Sequence, residues 1–175
     1  MDERTRTVAW SDPAVLTDAA GSRTGFEFLE GIRSGELPPP PISRLVGMEL
    51  EQVEPGRVVF ALDPGEHHLN PNGVVHGGIA ALVCDTACGC AVTSRLPAGG
   101  TCATLEIKVN YLRPLGPASP RLRCEGSVLH LGRRSALAEA RLVDPEGRLV
   151  AHATSTLMIF PPEDPHRGDR RPPAQ

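Results

Sequence analysis

The sequence predicts an α+β domain in which an antiparallel sheet wraps around one long central helix. Three observations carry this. Residues from about His76 to Arg95 form a single helix-length run that is apolar nearly all round, with Asp85 as its one charged side chain between Ile79 and Thr93. Segments after it alternate apolar and polar with the two-residue period of half-buried strands, and Gly, Pro and Asp clusters separate them at hairpin spacing. A helix without a polar face must be covered over most of its circumference, and a curved sheet can do that.

The chain of 175 residues is long enough for one domain with a sizeable core and too short for two ordinary ones. Its 40% apolar and 22% charged residues suit a globular fold, and one Trp, one Tyr and four Phe leave the packing to aliphatic side chains. A net charge of -3 with no Lys/Arg block argues against a nucleic-acid partner. No apolar stretch approaches a membrane span, and no apolar run follows the charged opening MDERTRTVAW, so a cytoplasmic protein without membrane contact is expected. The five cysteines are odd in number, and Cys84, Cys88 and Cys90 crowd the helix, where reduced thiols serve as small hydrophobes. No paired Cys-x-x-Cys or His at ligand spacing is present, so no metal is expected.

Taken in order, the first twenty-five residues are polar and turn-rich and are expected to be loosely ordered. Phe26, Phe28, Leu29 and Ile32 have helical spacing before Gly35, and Pro38 to Pro41 read as an extended connector. Residues 1–42 are thus an N-terminal extension and 43–160 the main domain. In that domain VVFAL ends near Asp63-Pro64-Gly65, and TLEIKVNYL, RLRCEGSVLHL, SALAEARLV and RLVAHATSTLMIF follow the helix as strands. From Thr104 the alternation is strict: Leu105, Ile107, Val109 and Tyr111 share one face, and Glu106, Lys108 and Asn110 the other. One face is expected to be buried and the other wet or paired with a partner. Gly132-Arg133-Arg134 and Asp144 to Gly147 read as hairpin turns, which makes successive strands antiparallel. Residues 161–175, with five prolines, are expected to be a disordered tail.

Two features point to chemistry. Gly77 and Gly78 follow His76 at the helix start, where a glycine costs roughly 1 kcal/mol against alanine. First-turn amides have no internal acceptors and sit at the positive end of the helix dipole, so they suit a carbonyl oxygen becoming an oxyanion. The plainer alternative is that the glycines ease a sharp turn into the helix. Asp85 is the second feature. A carboxylate among apolar neighbours is costly unless paired, neutralised or used, and Ala81, Leu82, Cys88 and Gly89 offer no cation one turn away. A hydrogen-bonded core carboxylate or a kink in the helix is the other reading. Eight residues of helix separate Gly77 from Asp85 by about 12 Å, whereas an oxyanion donor and an attacking base must both lie within a few Å of one carbonyl. If both act, the site is shared across a two-fold interface.

The pattern Asn70, Gly73, His76, Gly77, Gly78, then Asp85, resembles the hotdog-fold acyl-CoA thioesterases of the phenylacetate-pathway (PaaI-like) type, and the likeness extends over about Pro41 to Phe160. The resemblance implies hydrolysis of an acyl-CoA thioester, with Asp85 as general base or nucleophile and the Gly77 N–H as oxyanion donor. Asn70 would bond the thioester or the water, His76 would orient that loop, and Thr104 would position water. Gly78 would lie against the substrate. Asn72 departs from the small or apolar residue usual there. The resemblance also implies a homodimer that pairs into a dimer of dimers, and no cofactor, because coenzyme A is part of the substrate. Its phosphates call for cations, for which Arg113, Arg133 and Arg134 are the candidates. His67 and His68 are expected in an exposed loop, and His130 and His152 in structural roles. Two alternatives stand beside hydrolysis: a non-catalytic acyl-CoA-binding protein, and an enoyl-CoA hydratase, whose Asp and His would lie closer together. The acyl group is left open.

Overall fold

The computed structural model describes residues 3–162, and all but the first two residues of the expected tail lie outside them. The N-terminal extension is more ordered than its composition suggested. Helix α1 (Ala14–Ser22) begins where the Asp12 side chain accepts from the Ala14 N–H at 2.9 Å, and it buries no residue, so it left no apolar period to read. Helix α2 (Gly25–Ser34) opens with a capping box between Thr24 and Glu27 and stops at Gly35, whose φ of 84° is left-handed. The proline block is not purely an extended connector. Pro41 starts helix α3 (Pro41–Val46), at the position where a missing N–H costs nothing.

The sheet has six antiparallel strands: β1 (Met48–Glu54), β2 (Arg57–Leu62), β3 (Thr101–Tyr111), β4 (Leu122–Leu131), β5 (Ser135–Val143) and β6 (Leu149–Phe160). Their spatial order is β1-β2-β4-β5-β6-β3. The expected hairpin turns join β4 to β5 and β5 to β6. Strand β1 had no counterpart in the sequence reading: MELEQVE buries only Met48, and its register shifts between Leu50 and Gln52, so alternation is lost.

Helix α4 (Gly77–Thr93) lies across the inner face of this sheet, burying Val83, Cys84, Ala87, Cys88, Ala91 and Val92. It is not buried on every side, as its composition had suggested. Gly78 is exposed and Ala81, Leu82, Asp85 and Gly89 are only half-buried, because the sheet, through β2 to β6, covers one side of the helix and leaves a stripe open. Strand β3 ends the strand order, so one of its edges has no neighbour among the described residues. The open stripe and the free edge lie side by side: a Cβ on Gly77 would touch the Tyr111 ring, Asp85 bonds Thr104, and Thr93 meets Cys102.

Strand β3 also breaks the strict alternation expected of it. Ile107 pairs with Ser155 and Val109 with Ala153 on the inner face, while Glu106 pairs with Thr156 on the outer. Leu105 has no partner in the ladder, and Thr104 then pairs with the buried Leu157. Leu105 is therefore a bulge residue, 58% exposed, rather than a member of the buried face. His68 is likewise not in an exposed loop. It is buried, with its Nε2 2.9 Å from the Val46 carbonyl oxygen, while His67 is exposed as expected.

Candidate active site

The start of α4 is built by His76 and its two glycines. The His76 ring nitrogen Nδ1 accepts from the Gly78 N–H at 2.8 Å, so the imidazole itself caps the helix. A Cβ on Gly78 would lie 2.9 Å from that nitrogen, which explains the second glycine. The Gly77 N–H makes no hydrogen bond among the described residues. The His76 Nδ1 is thus taken up by the Gly78 N–H, and the first-turn donor left over is Gly77.

Asn70 is tied into the same loop. Its side-chain oxygen accepts from the Asn72 N–H at 2.9 Å and the Val74 N–H at 3.4 Å, an Asx turn that holds the approach to the helix. The amide NH2 is the part of Asn70 left to meet a ligand. Asn70 and Gly77 line a cavity of about 340 Å³ with Tyr111, Arg113 and the aliphatic Val75 and Leu115. Tyr111 was not singled out from the sequence as a site residue. Its ring lies close to Gly77, where a Cβ would come within 3.3 Å of it, a proximity between residues thirty-four positions apart that no local pattern reveals.

Asp85 lies outside this cavity. It is half-buried rather than fully enclosed, and its Oδ1 accepts from the Thr104 hydroxyl at 2.9 Å. One carboxylate oxygen is thus oriented, and the other makes no hydrogen bond among the described residues. The thiols around it do not compete as nucleophiles. Burial, with Cys84 and Asp85 adding to it, pushes the Cys88 thiol up to about 12, and burial pushes Cys90 up to about 12 as well. Cys84 and Cys124 are buried with their sulfurs 3.9 Å apart, and all five cysteines are free.

The expected arginine cluster does not form within one chain. Arg113 donates to the Leu149 carbonyl at the end of β3 that pairs with Ala151. Arg134 sits beside Ile159, whose N–H bonds its carbonyl, at the other end. Eight residues of β6 separate these points, roughly 26 Å of strand. Arg133 adjoins Arg134 in the hairpin, so two cations lie near the Asp85 end and one near the Gly77 end. His152 and Glu139 pair across the outer sheet face at 3.2 Å, in keeping with a structural role.

The sequence profile of the thioesterase superfamily matches residues 72–151, which span His76, Gly77, Asp85 and Thr104. The medium/long-chain acyl-CoA thioesterase YigI of Escherichia coli K12 is 30% identical over 134 residues, covering 68% of this chain and 85% of YigI. This chain belongs to the thioesterase superfamily. Its sheet and helix form the hotdog fold, as in the phenylacetic acid degradation protein PaaI of Thermus thermophilus. A mutant form of that protein is 30% identical with a TM-score of 0.63, covering 68% of this chain and 98% of PaaI. A Streptococcus mutans UA159 protein solved with bound acetyl CoA is 25% identical with a TM-score of 0.61, covering 67% of this chain and 91% of that one. As a superfamily member the chain is a thioester hydrolase by class.

Proposed function

We propose that this thioesterase hydrolyses acyl-CoA at a site completed by two copies of the chain, with Asp85 attacking or activating water and the partner's Gly77 holding the oxyanion. The observation that carries the reading is the placement of Asp85, oriented by Thr104 on the uncovered stripe of α4 beside the free edge of β3. A second copy adding its own β3 antiparallel along that edge would continue the sheet and cover both. Antiparallel pairing sets the Tyr111 end of one strand against the Thr101 end of the other. The partner's Gly77 would then come alongside Asp85, which removes the obstacle of about 12 Å within one helix. The partner's Arg113 would join Arg133 and Arg134, gathering the cations that one chain keeps apart, where the phosphates of coenzyme A can meet them.

In this site the thioester carbonyl oxygen accepts from the partner's Gly77 N–H. Asp85 takes a proton from water as the water oxygen adds to the carbonyl carbon, and the C–S bond then breaks as the departing coenzyme A sulfur takes up that proton. In the other route the Asp85 oxygen adds, the C–S bond breaks to leave an anhydride and the coenzyme A thiolate, and water then cleaves the anhydride to the free acid and the Asp85 carboxylate, the proton released going to the thiolate. The reaction draws on no cofactor. YigI is named for medium and long acyl chains, and the aliphatic lining of the cavity beside Gly77 suits the same class here.

The test is release of free coenzyme A from a panel of acyl-CoAs by the purified protein, beside Asp85→Ala and Asp85→Asn. Turnover is expected to fall at least ~100-fold in both, the usual scale for an acid-base group. Loss below about threefold would remove Asp85 from the chemistry, and tight acyl-CoA binding without turnover in the native protein would favour a binding protein instead.

A further inference from the structure

The face on which Thr104 lies is decided by a single residue of β3. Glu106, Lys108 and Asn110 point to the outer face, and uninterrupted alternation would send Thr104 there too, away from α4. Leu105, unpaired in the ladder, reverses the parity, so Thr104 lies opposite the buried Leu157 and reaches Asp85 at 2.9 Å. The bulge is therefore what turns the hydroxyl toward the carboxylate.

A second observation sits at the same place. Ser155 on β6 has no exposed surface and stands among Ala151, Ala153 and Leu157, on a sheet face otherwise filled by aliphatic side chains. Its hydroxyl donates to the Glu106 carbonyl at 2.9 Å, at the residue that follows the bulge. Ladder bonds are disrupted at a bulge, and a buried side-chain donor there adds an anchor that the neighbouring strand's backbone does not supply.

We propose that Ser155 is a positioning residue for Asp85: by holding the Glu106 carbonyl it fixes the bulge at Leu105 and keeps Thr104 turned toward the carboxylate. Ser155 touches no substrate, since it is wholly enclosed, and acts only through Thr104. The kinetic consequence rests on the hydrolase reading above, whereas the geometric one does not.

The experiment is a double-mutant cycle with one medium-chain acyl-CoA, comparing the native protein, Ser155→Ala, Thr104→Ala and the double variant. Ser155→Ala is expected to lower kcat about tenfold with KM unchanged within about twofold, and the double variant to be no slower than Thr104→Ala. Ser155→Thr, which keeps the hydroxyl, is expected to recover most of the loss. Losses that multiply in the double variant, or native turnover in Ser155→Ala, overturn the assignment. A crystal structure of Ser155→Ala reads the geometry without activity. Separation of the Thr104 hydroxyl from Asp85 supports the proposal, and a contact kept at hydrogen-bond length defeats it. A native protein that releases no coenzyme A, together with a separated Thr104 in Ser155→Ala, would sink the hydrolase reading alone.

Discussion

His76, Gly77 and Gly78 divide the work at the start of α4: the imidazole caps, one glycine makes room for it, and the other presents its N–H beside the Tyr111 ring. Both readings of the glycine pair are thus accommodated, since a sharp entry into the helix and a spare amide come from the same three residues. The thiols of α4 contribute differently. Cys88 keeps its proton in the folded protein until about pH 12, pushed up by burial first and then by Cys84 and Asp85, while an unfolded thiol loses it near 9. Between those values the unfolded chain binds fewer protons, so stability falls as pH rises, by up to about 1.4 kcal/mol per pH unit for one such thiol. Cys90 is pushed up to about 12 as well, and Cys102 and Cys124 are also raised, so these thiols add to the same decline. Urea unfolding followed from pH 9 to 11 is expected to show this decline, and Cys88→Ala to make it shallower without abolishing it.

Among the elements, α4 fits the sheet because small residues let two backbones approach. A Cβ on Gly126 of β4 would lie 2.2 Å from the Ala87 carbonyl oxygen, a backbone atom that cannot swing aside. Gly126→Ala is therefore expected to destabilise the fold by about 1–3 kcal/mol or more, read as a lower urea midpoint with coenzyme A release per folded molecule retained. A midpoint equal to that of the native protein would mean that α4 is free to lift from the sheet. Here too sequence patterns lose their force at identifiable places. The apolar run of α4 and the alternation of β5 and β6 are legible because each buries a regular face. Helix α1 buries nothing and β1 is interrupted by a bulge, so neither leaves a period.

Across the molecule, the open stripe of α4 and the free edge of β3 make one face, and the proposed site needs a second chain to close it. Mixing separates this from a site within one chain. Gly77→Pro deletes the N–H at the first helical position, where proline is tolerated, and His76 with φ -59° and ψ 133° already has a conformation that a following proline accepts. Gly77→Pro and Asp85→Ala are each expected to be inactive, and unfolding and refolding them together to restore about a quarter of native activity, since half the dimers carry one intact site of two. No recovery would place both groups in one chain's chemistry or remove one of them. The central helix, the antiparallel sheet, and the presence of an unpaired first-turn amide and a carboxylate far apart on one helix were all readable from the chain, because period, composition and rise per residue are local quantities. Folding in three dimensions was needed to turn Thr104 toward Asp85, to bring Tyr111 close to Gly77, and to divide the three arginines between two ends. Each of these depends on strand register and on one bulge, and register is set by contacts between residues far apart in the chain.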